Sequence, residues 1–182
     1  KELGNEVPTE PLLFLKPPTG LVGAGAEIVL PRASQRVEHE AELGVVVGRT
    51  LRHASPEEAL AGIFGLTCVN DVTARDLQKK DVQFTRAKGF DTFCPCGPWI
   101  VTDLASDDLR VTLRVNGATK QDGRTKDMVF PVAQLVSAMS HVMTLLPGDL
   151  ISTGTPEGVG PLAAGDVVAL EVEGVGVLEN RV

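Results

Sequence analysis

The segment Glu38-His-Glu-Ala-Glu-Leu-Gly-Val-Val-Val-Gly48 places three carboxylates at alternate positions and then runs straight into apolar, β-branched residues. In a strand, side chains i, i+2 and i+4 share a face, so Glu38, Glu40 and Glu42 point one way while His39, Ala41, Leu43, Val45 and Val47 point the other. Carboxylates this close on a half-buried strand repel one another and raise each other's pKa, so a buried row calls for a divalent cation. The competing account is an edge strand with a solvated acidic face.

The rest of the chain supports a β-rich domain. Strands are expected near 12–15, 26–30, 37–48, 64–70, 98–102, 111–115, 118–121, 150–153, 167–173 and 175–178. Asn116-Gly117 marks a two-residue hairpin. Ser55-Pro-Glu-Glu reads as a capped helix start running to about residue 63, and residues 71–80 as one or two helical turns. Residues 81–98 read as loop. One long helix is expected over 132–146, where Val132, Leu135, Val136, Met139, Val142, Met143 and Leu146 fall at i, i+3, i+4 spacing before Pro147-Gly148. Strands are not separated by regular helices, which disfavours a doubly wound sheet. A length of 182 residues fits a single domain over residues 1–182.

Composition narrows the function classes. Net charge is −7 with scattered lysines and arginines, so no electrostatic footprint for nucleic acid or an anionic membrane is present. No apolar run approaches the ~20 residues that span a bilayer. Three cysteines, Cys68, Cys94 and Cys96, argue against disulfides and for a reducing, cytoplasmic location. Metal binding by Cys94 and Cys96 would need a second Cys or His pair nearby, so they read as packed thiols.

A further acid, Asp71, follows Asn70 at the end of an expected buried strand. Glu40, Glu42 and Asp71 together form a hard-oxygen set suited to Mg²⁺, Mn²⁺ or Ca²⁺ rather than zinc, and three ligands leave positions open for water or substrate. On one helical turn Asp71, Arg75 and Gln78 would share a face, able to fix an anionic substrate beside the metal. A surface ion pair between Asp71 and Arg75 is the plainer reading, as is a solvated charge for Lys88. The loop Thr153-Gly-Thr-Pro-Glu-Gly-Val-Gly160 lacks a phosphate-loop ending, but its N–H groups and the Thr155 hydroxyl could take a carboxylate. No Gly-x-Ser-x-Gly elbow occurs, and His39, His53 and His141 have no evident nucleophile partner.

Five segments together resemble the fumarylacetoacetate hydrolase superfamily: Phe14-Leu-Lys-Pro-Pro, the acidic row, Asn70-Asp-Val-Thr-Ala-Arg-Asp-Leu-Gln, Ala87-Lys-Gly-Phe-Asp-Thr-Phe-Cys-Pro-Cys-Gly-Pro-Trp, and Pro147-Gly-Asp-Leu-Ile-Ser-Thr-Gly-Thr-Pro-Glu-Gly-Val-Gly. The resemblance implies a mainly β (α+β) fold, a β-roll of mixed sheets with few helices, assembled as a homodimer. It implies Glu40, Glu42 and Asp71 as ligands of Mg²⁺ or Mn²⁺, and Arg75, Gln78, Lys88 and Thr155 as substrate contacts. Glu38 falls outside the triad, at the strand's margin. Many members carry a His–Glu lid that activates water. This chain begins inside that motif, with Glu2 at the position of the glutamate and the histidine falling before Lys1, so the lid is missing or truncated, and Glu2 and Lys88 are the catalytic candidates.

The activity implied is metal-dependent chemistry on 2-oxo or enol dicarboxylic acids through a stabilised enolate, most similar to 2-hydroxyhepta-2,4-diene-1,7-dioate isomerases and decarboxylases. The alternative within the family is C–C hydrolysis of acylpyruvates or decarboxylation of oxaloacetate. A non-catalytic metal-binding scaffold is the alternative of another class.

Overall fold

The computed structural model describes residues 8–182. Glu2 therefore lies outside the described residues. In chain order the elements are β1 (Leu21–Val22), β2 (Val37–His39), β3 (Ala41–Val47), α1 (Pro56–Leu60), β4 (Ile63–Asn70), β5 (Thr73–Ala74), α2 (Arg75–Lys80), α3 (Thr85–Lys88), β6 (Cys94–Val101), β7 (Arg110–Val115), β8 (Ala118–Arg124), α4 (Val132–Val142), β9 (Leu150–Ser152), β10 (Gly160–Pro161), β11 (Val167–Val172) and β12 (Gly176–Arg181). Three sheets result, ordered β1-β6-β4-β3-β9, β10-β2-β5 and β12-β11-β7-β8. All pairings are antiparallel except β1 with β6. Among the described residues no helix is long and apolar enough to cross a membrane.

The acidic strand is real but divided. Pairing breaks at Glu40, so β2 joins one sheet and β3 another, and Glu40 occupies the joint. Far from being a solvated edge, β3 lies between β4 and β9 and is buried along its whole length. Leu43 stands opposite Cys68 and Val45 opposite Leu66, and the Cys68 thiol reaches the Gly176 carbonyl on β12. The face carrying Ala41, Leu43, Val45 and Val47 therefore packs toward the four-stranded sheet, whose Leu113, Leu170 and Leu178 close the core. Glu42 is left on the opposite face, held by an apolar ladder behind it.

Gly44 shows how tight that ladder is. A Cβ there would stand 2.5 Å from Val69 Cγ2 and 2.8 Å from Thr67 Cγ2, both on stiff β-branched side chains of the neighbouring strand. Gly44→Ala is expected to destabilise the protein by about 1–3 kcal/mol through overpacking, read as a lower urea midpoint. An unchanged midpoint would show that β3 and β4 can move apart at no cost.

Several expected boundaries shift for reasons of pairing. Ser55 caps α1 through a full capping box with Glu58, and Asn116 and Gly117 turn the β7–β8 hairpin with φ of 51° and 80°, both as expected. The long helix stops at Val142 because the chain turns extended at Met143, and the Leu145 backbone pairs with Leu51 in both directions. Residues 26–30 form only a bridge, Glu27 to Arg181, and residues 12–15 form no strand. The stretch expected to be loop up to residue 98 instead contains α3 and the start of β6, which opens at Cys94 because β1 and β4 flank it on both sides.

Candidate metal centre

The break at Glu40 builds the site. Glu40 N–H donates to the Asn70 side-chain oxygen (3.0 Å), and Asp71 N–H donates to the Glu40 carbonyl (2.9 Å). These bonds stitch the end of β4 to the β2–β3 joint and set Asp71 beside Glu40. Glu42 follows on the same side of the chain. One carboxylate oxygen from each of Glu40, Glu42 and Asp71 lies within 4.8 Å of the others, and the residues are only 6%, 3% and 1% exposed.

Cations converge on two of the three. Lys88, buried on α3, places Nζ 2.7 Å from Glu40 Oε2 and 2.5 Å from Asp71 Oδ2. Lys16 Nζ donates to the other Asp71 oxygen at 2.6 Å. Arg75, at the start of α2, donates from Nη2 to Glu40, from Nε to Glu38 (2.6 Å) and from Nη1 to Gln78 Oε1 (2.5 Å). Phe14 covers the Lys88 ammonium from one side, with the ring centroid 5.0 Å away.

Glu42 is the exception. Its Oε2 accepts from the Ser152 hydroxyl (2.5 Å) and Gly154 N–H (2.7 Å), and Oε1 takes no hydrogen bond from the described residues. Complete burial, with the Asp71 and Glu40 charges beside it, pushes its pKa up to about 8. Burial works against the Lys88 ammonium, but the carboxylates of Asp71, Glu40 and Glu42 outweigh it and hold its pKa above the usual lysine value. Glu38 is likewise opposed by burial, yet hydrogen bonds from Arg75 and Arg36 keep its pKa below the ordinary glutamate value.

Two sequence expectations are corrected here. Glu38 is not at the strand's margin but in the middle of β2, 1% exposed and anchoring Arg75, because β2 is covered by β5, β10 and the start of α2. Asp71 is not on a helical turn with Arg75 and Gln78, since α2 begins only at Arg75; the arginine pairs with Glu38 and Glu40, and Asp71 with the lysines. Arg75, Gln78 and Lys88 do gather at the triad. The Thr155 hydroxyl is tied into the scaffold, donating to the Ala41 carbonyl (2.9 Å) and accepting from Gln121 Nε2 (2.7 Å). The Cys68 and Cys94 thiols are buried, with pKa values pushed up to about 12 by desolvation, as packed protonated thiols should be.

Sequence reasoning missed Lys16 and Gln121. Lys16 carries a weak signal, a lysine between apolar Phe14-Leu and Pro-Pro. Gln121 carries none, since an amide on a hairpin's return strand reads as surface; it faces inward because it pairs with buried Leu113. Its Oε1 accepts from Ala41 N–H (3.0 Å), which makes the His39 Nδ1 contact at 2.8 Å a donation by histidine. His39 Nε2 is buried with no hydrogen-bond partner among the described residues, and burial lowers the pKa of the ring.

The residues fit a hard divalent cation. Glu40 and Asp71 already hold a positive charge between them in the Lys88 ammonium, while Glu42 makes no ion pair among the described residues and its Oε1 takes no hydrogen bond from them. All three donors are oxygens, as Mg²⁺ and Mn²⁺ prefer.

A buried carboxylate triad, paired on two of its members with the cations Lys16, Arg75 and Lys88, sits where the three-stranded and five-stranded sheets meet. The profile of the fumarylacetoacetate (FAA) hydrolase C-terminal family matches residues 1–182, and the chain belongs to this family. The solved structure of a 2-hydroxyhepta-2,4-diene-1,7-dioate isomerase from Mycobacterium marinum superposes with a TM-score of 0.94 at 52% identity, over 96% of this chain and 69% of that one. A 2,4-didehydro-3-deoxy-L-rhamnonate hydrolase of Sphingomonas is 47% identical over 97% of this chain and 66% of its own. A mitochondrial oxaloacetate tautomerase of Homo sapiens is 43% identical over 100% of this chain and 62% of its own. The mainly β fold with few helices is that of the family.

Proposed function

We propose that this protein is a divalent-metal-dependent enzyme that isomerises 2-oxo and enol dicarboxylic acids, of the 2-hydroxyhepta-2,4-diene-1,7-dioate isomerase/decarboxylase type. One observation carries the reading: a buried all-oxygen triad in which Lys16, Lys88 and Arg75 pair with Asp71 and Glu40, while the third member, Glu42, makes no ion pair among the described residues. Glu40, Glu42 and Asp71 would hold Mg²⁺ or Mn²⁺. Bound there, the ion supplies Lewis-acid stabilisation of negative charge developing on a 2-oxo oxygen.

The chain's own residues do the rest. Lys88 stays protonated, as its raised pKa requires, so its Nζ serves as a donor to a substrate carboxylate or enolate oxygen rather than as a base. Arg75 locks Glu38, Glu40 and Gln78 into one rigid array, so the triad is pre-organised rather than assembled on binding. Phe14 shields the Lys88 ammonium from one side, which strengthens its pull on an anion. In keto–enol exchange a proton leaves the carbon next to the carbonyl and another arrives on oxygen. No water is consumed, which distinguishes this from C–C hydrolysis, the second reading favoured by the likeness to the Sphingomonas hydrolase.

Enol oxaloacetate followed by ultraviolet absorbance, with coupled detection of pyruvate, separates tautomerisation from decarboxylation, and a parallel assay with an acylpyruvate reads C–C cleavage. Catalysed tautomerisation is expected with Mg²⁺ or Mn²⁺ and not with excess chelator. Lys88→Ala is expected to raise KM for dicarboxylates more than for monocarboxylic 2-oxo acids. Activity indifferent to chelator would overturn the metal dependence, and equal KM effects would remove the role of Lys88. No turnover of any 2-oxo acid with metal bound would favour a scaffold.

A further inference from the structure

We propose that His53 and His141 form a second cation site, separate from the carboxylate triad and selective for a borderline transition-metal ion of the Zn²⁺, Ni²⁺ or Cu²⁺ class. Their Nδ1 atoms stand 3.4 Å apart, with ring centroids 5.3 Å apart and the planes tilted by 52°. Two imidazole nitrogens bonded at ~2.0–2.1 Å to one tetrahedral ion stand roughly 3.3–3.4 Å from each other. The pair thus has the bite of a bidentate ligand. As a hydrogen bond, by contrast, the same distance exceeds the usual 2.7–3.2 Å range for N–H donors, so mutual hydrogen bonding gains little from this arrangement.

The spacing is built by the backbone. His53 N–H donates to the Ser140 carbonyl (2.9 Å), Ala54 N–H to the Ser140 hydroxyl (2.9 Å), and the Ser137 hydroxyl to the Ala54 carbonyl (2.7 Å). These bonds clamp the segment after β3 onto the last turn of α4. His53 is held at a φ of 51°, a conformation in which histidine is enriched among non-glycine residues. Both residues are exposed, which leaves room for water at the remaining coordination positions.

Ligand chemistry keeps the two sites apart. Imidazole suits Zn²⁺, Ni²⁺ and Cu²⁺, whereas carboxylates suit Mg²⁺ and Mn²⁺. Position does so as well, because His53 lies beyond the far end of β3 from Glu42, and the run from Glu42 to Val47 alone covers ~17 Å.

The test is a Zn²⁺ titration of the full chain without a polyhistidine tag, against a chromophoric chelator, with Mg²⁺ in large excess to keep Zn²⁺ off the carboxylates. One Zn²⁺ equivalent is expected. His53→Asn and His141→Ala should each weaken it at least about tenfold, since losing a ligand costs no less than the roughly 10–100-fold that outer-shell changes cost. Asparagine is chosen at 53 because it too accepts positive φ, so the backbone clamp survives. Cu²⁺ in place of Zn²⁺ should give an electron paramagnetic resonance spectrum split by two nitrogens, and by one in either variant. Wild-type Zn²⁺ affinity in either variant, or no Zn²⁺ bound by the unaltered protein, would overturn the proposal.

Discussion

Glu42→Gln is expected to cut metal-dependent turnover by roughly 10³-fold, comparable with the loss of a principal electrostatic stabiliser, and to abolish the pH dependence of stability that this carboxyl imposes. Glutamine keeps the shape and can still accept from Ser152 and Gly154, but cannot offer an anionic oxygen to a cation. In the metal-free protein the folded Glu42 titrates near pH 8, well above its ordinary value of 4.5. Between those values the folded state keeps a proton that the unfolded chain has released, so stability falls as pH rises through this window. The slope approaches about 1.4 kcal/mol per pH unit from this group alone. Burial of His39, which lowers its pKa, pushes the other way near neutrality, but it is common to both proteins and cancels in the comparison. Thermal melts with chelator at pH 5, 6.5 and 8 should therefore show wild type losing stability relative to Glu42→Gln. With excess Mg²⁺ the order should reverse at pH 8, because the ion binds the ionised carboxylate. Parallel pH profiles for the two proteins would show that Glu42 is an ordinary ionised glutamate.

The legible and illegible parts of this site differ in physical kind. Glu40 and Glu42 could be found because strand alternation is a local rule: a residue's face follows from its neighbours' spacing. Asp71 could be found because an acid after a buried apolar run marks a strand end. The division of the acidic strand at Glu40 could not be found, since nothing local distinguishes a continuous strand from one whose halves pair with different sheets. That long-range choice also hid the burial of Glu38, whose counter-charge, Arg75, comes from another part of the chain. The short β1, the early start of β6 and the curtailed α4 belong to the same class, because each depends on which strand or bridge lies alongside. Motif resemblance recovered Lys88, which spacing alone left as a solvated surface charge.

Gln121→Leu is expected to cost about 3–5 kcal/mol of stability, and to weaken Mn²⁺ binding in whatever folded protein remains. The amide uses its full capacity: Oε1 accepts from His39 Nδ1 and Ala41 N–H, and Nε2 donates to the Thr155 hydroxyl and the Pro156 carbonyl. Leucine fits the volume but leaves at least two buried donors, at His39 and Ala41, without partners, at about 1–3 kcal/mol each. His39 would then have both ring nitrogens unsatisfied, since Nε2 already lacks a partner among the described residues. The effect is expected to reach the candidate metal centre because His39 and Ala41 flank Glu40, so the amide fixes the joint on which that carboxylate turns. It also fixes the loop whose Gly154 N–H steadies Glu42. Gln121→Glu separates packing from hydrogen bonding: it can accept from the same two donors but cannot donate to the Pro156 carbonyl when ionised. Chemical denaturation and Mn²⁺ titration of both variants read the two effects independently. If Gln121→Leu unfolds at the wild-type midpoint and binds Mn²⁺ as tightly, the amide is a bystander, and the joint at Glu40 is held by Asn70 and Asp71 alone.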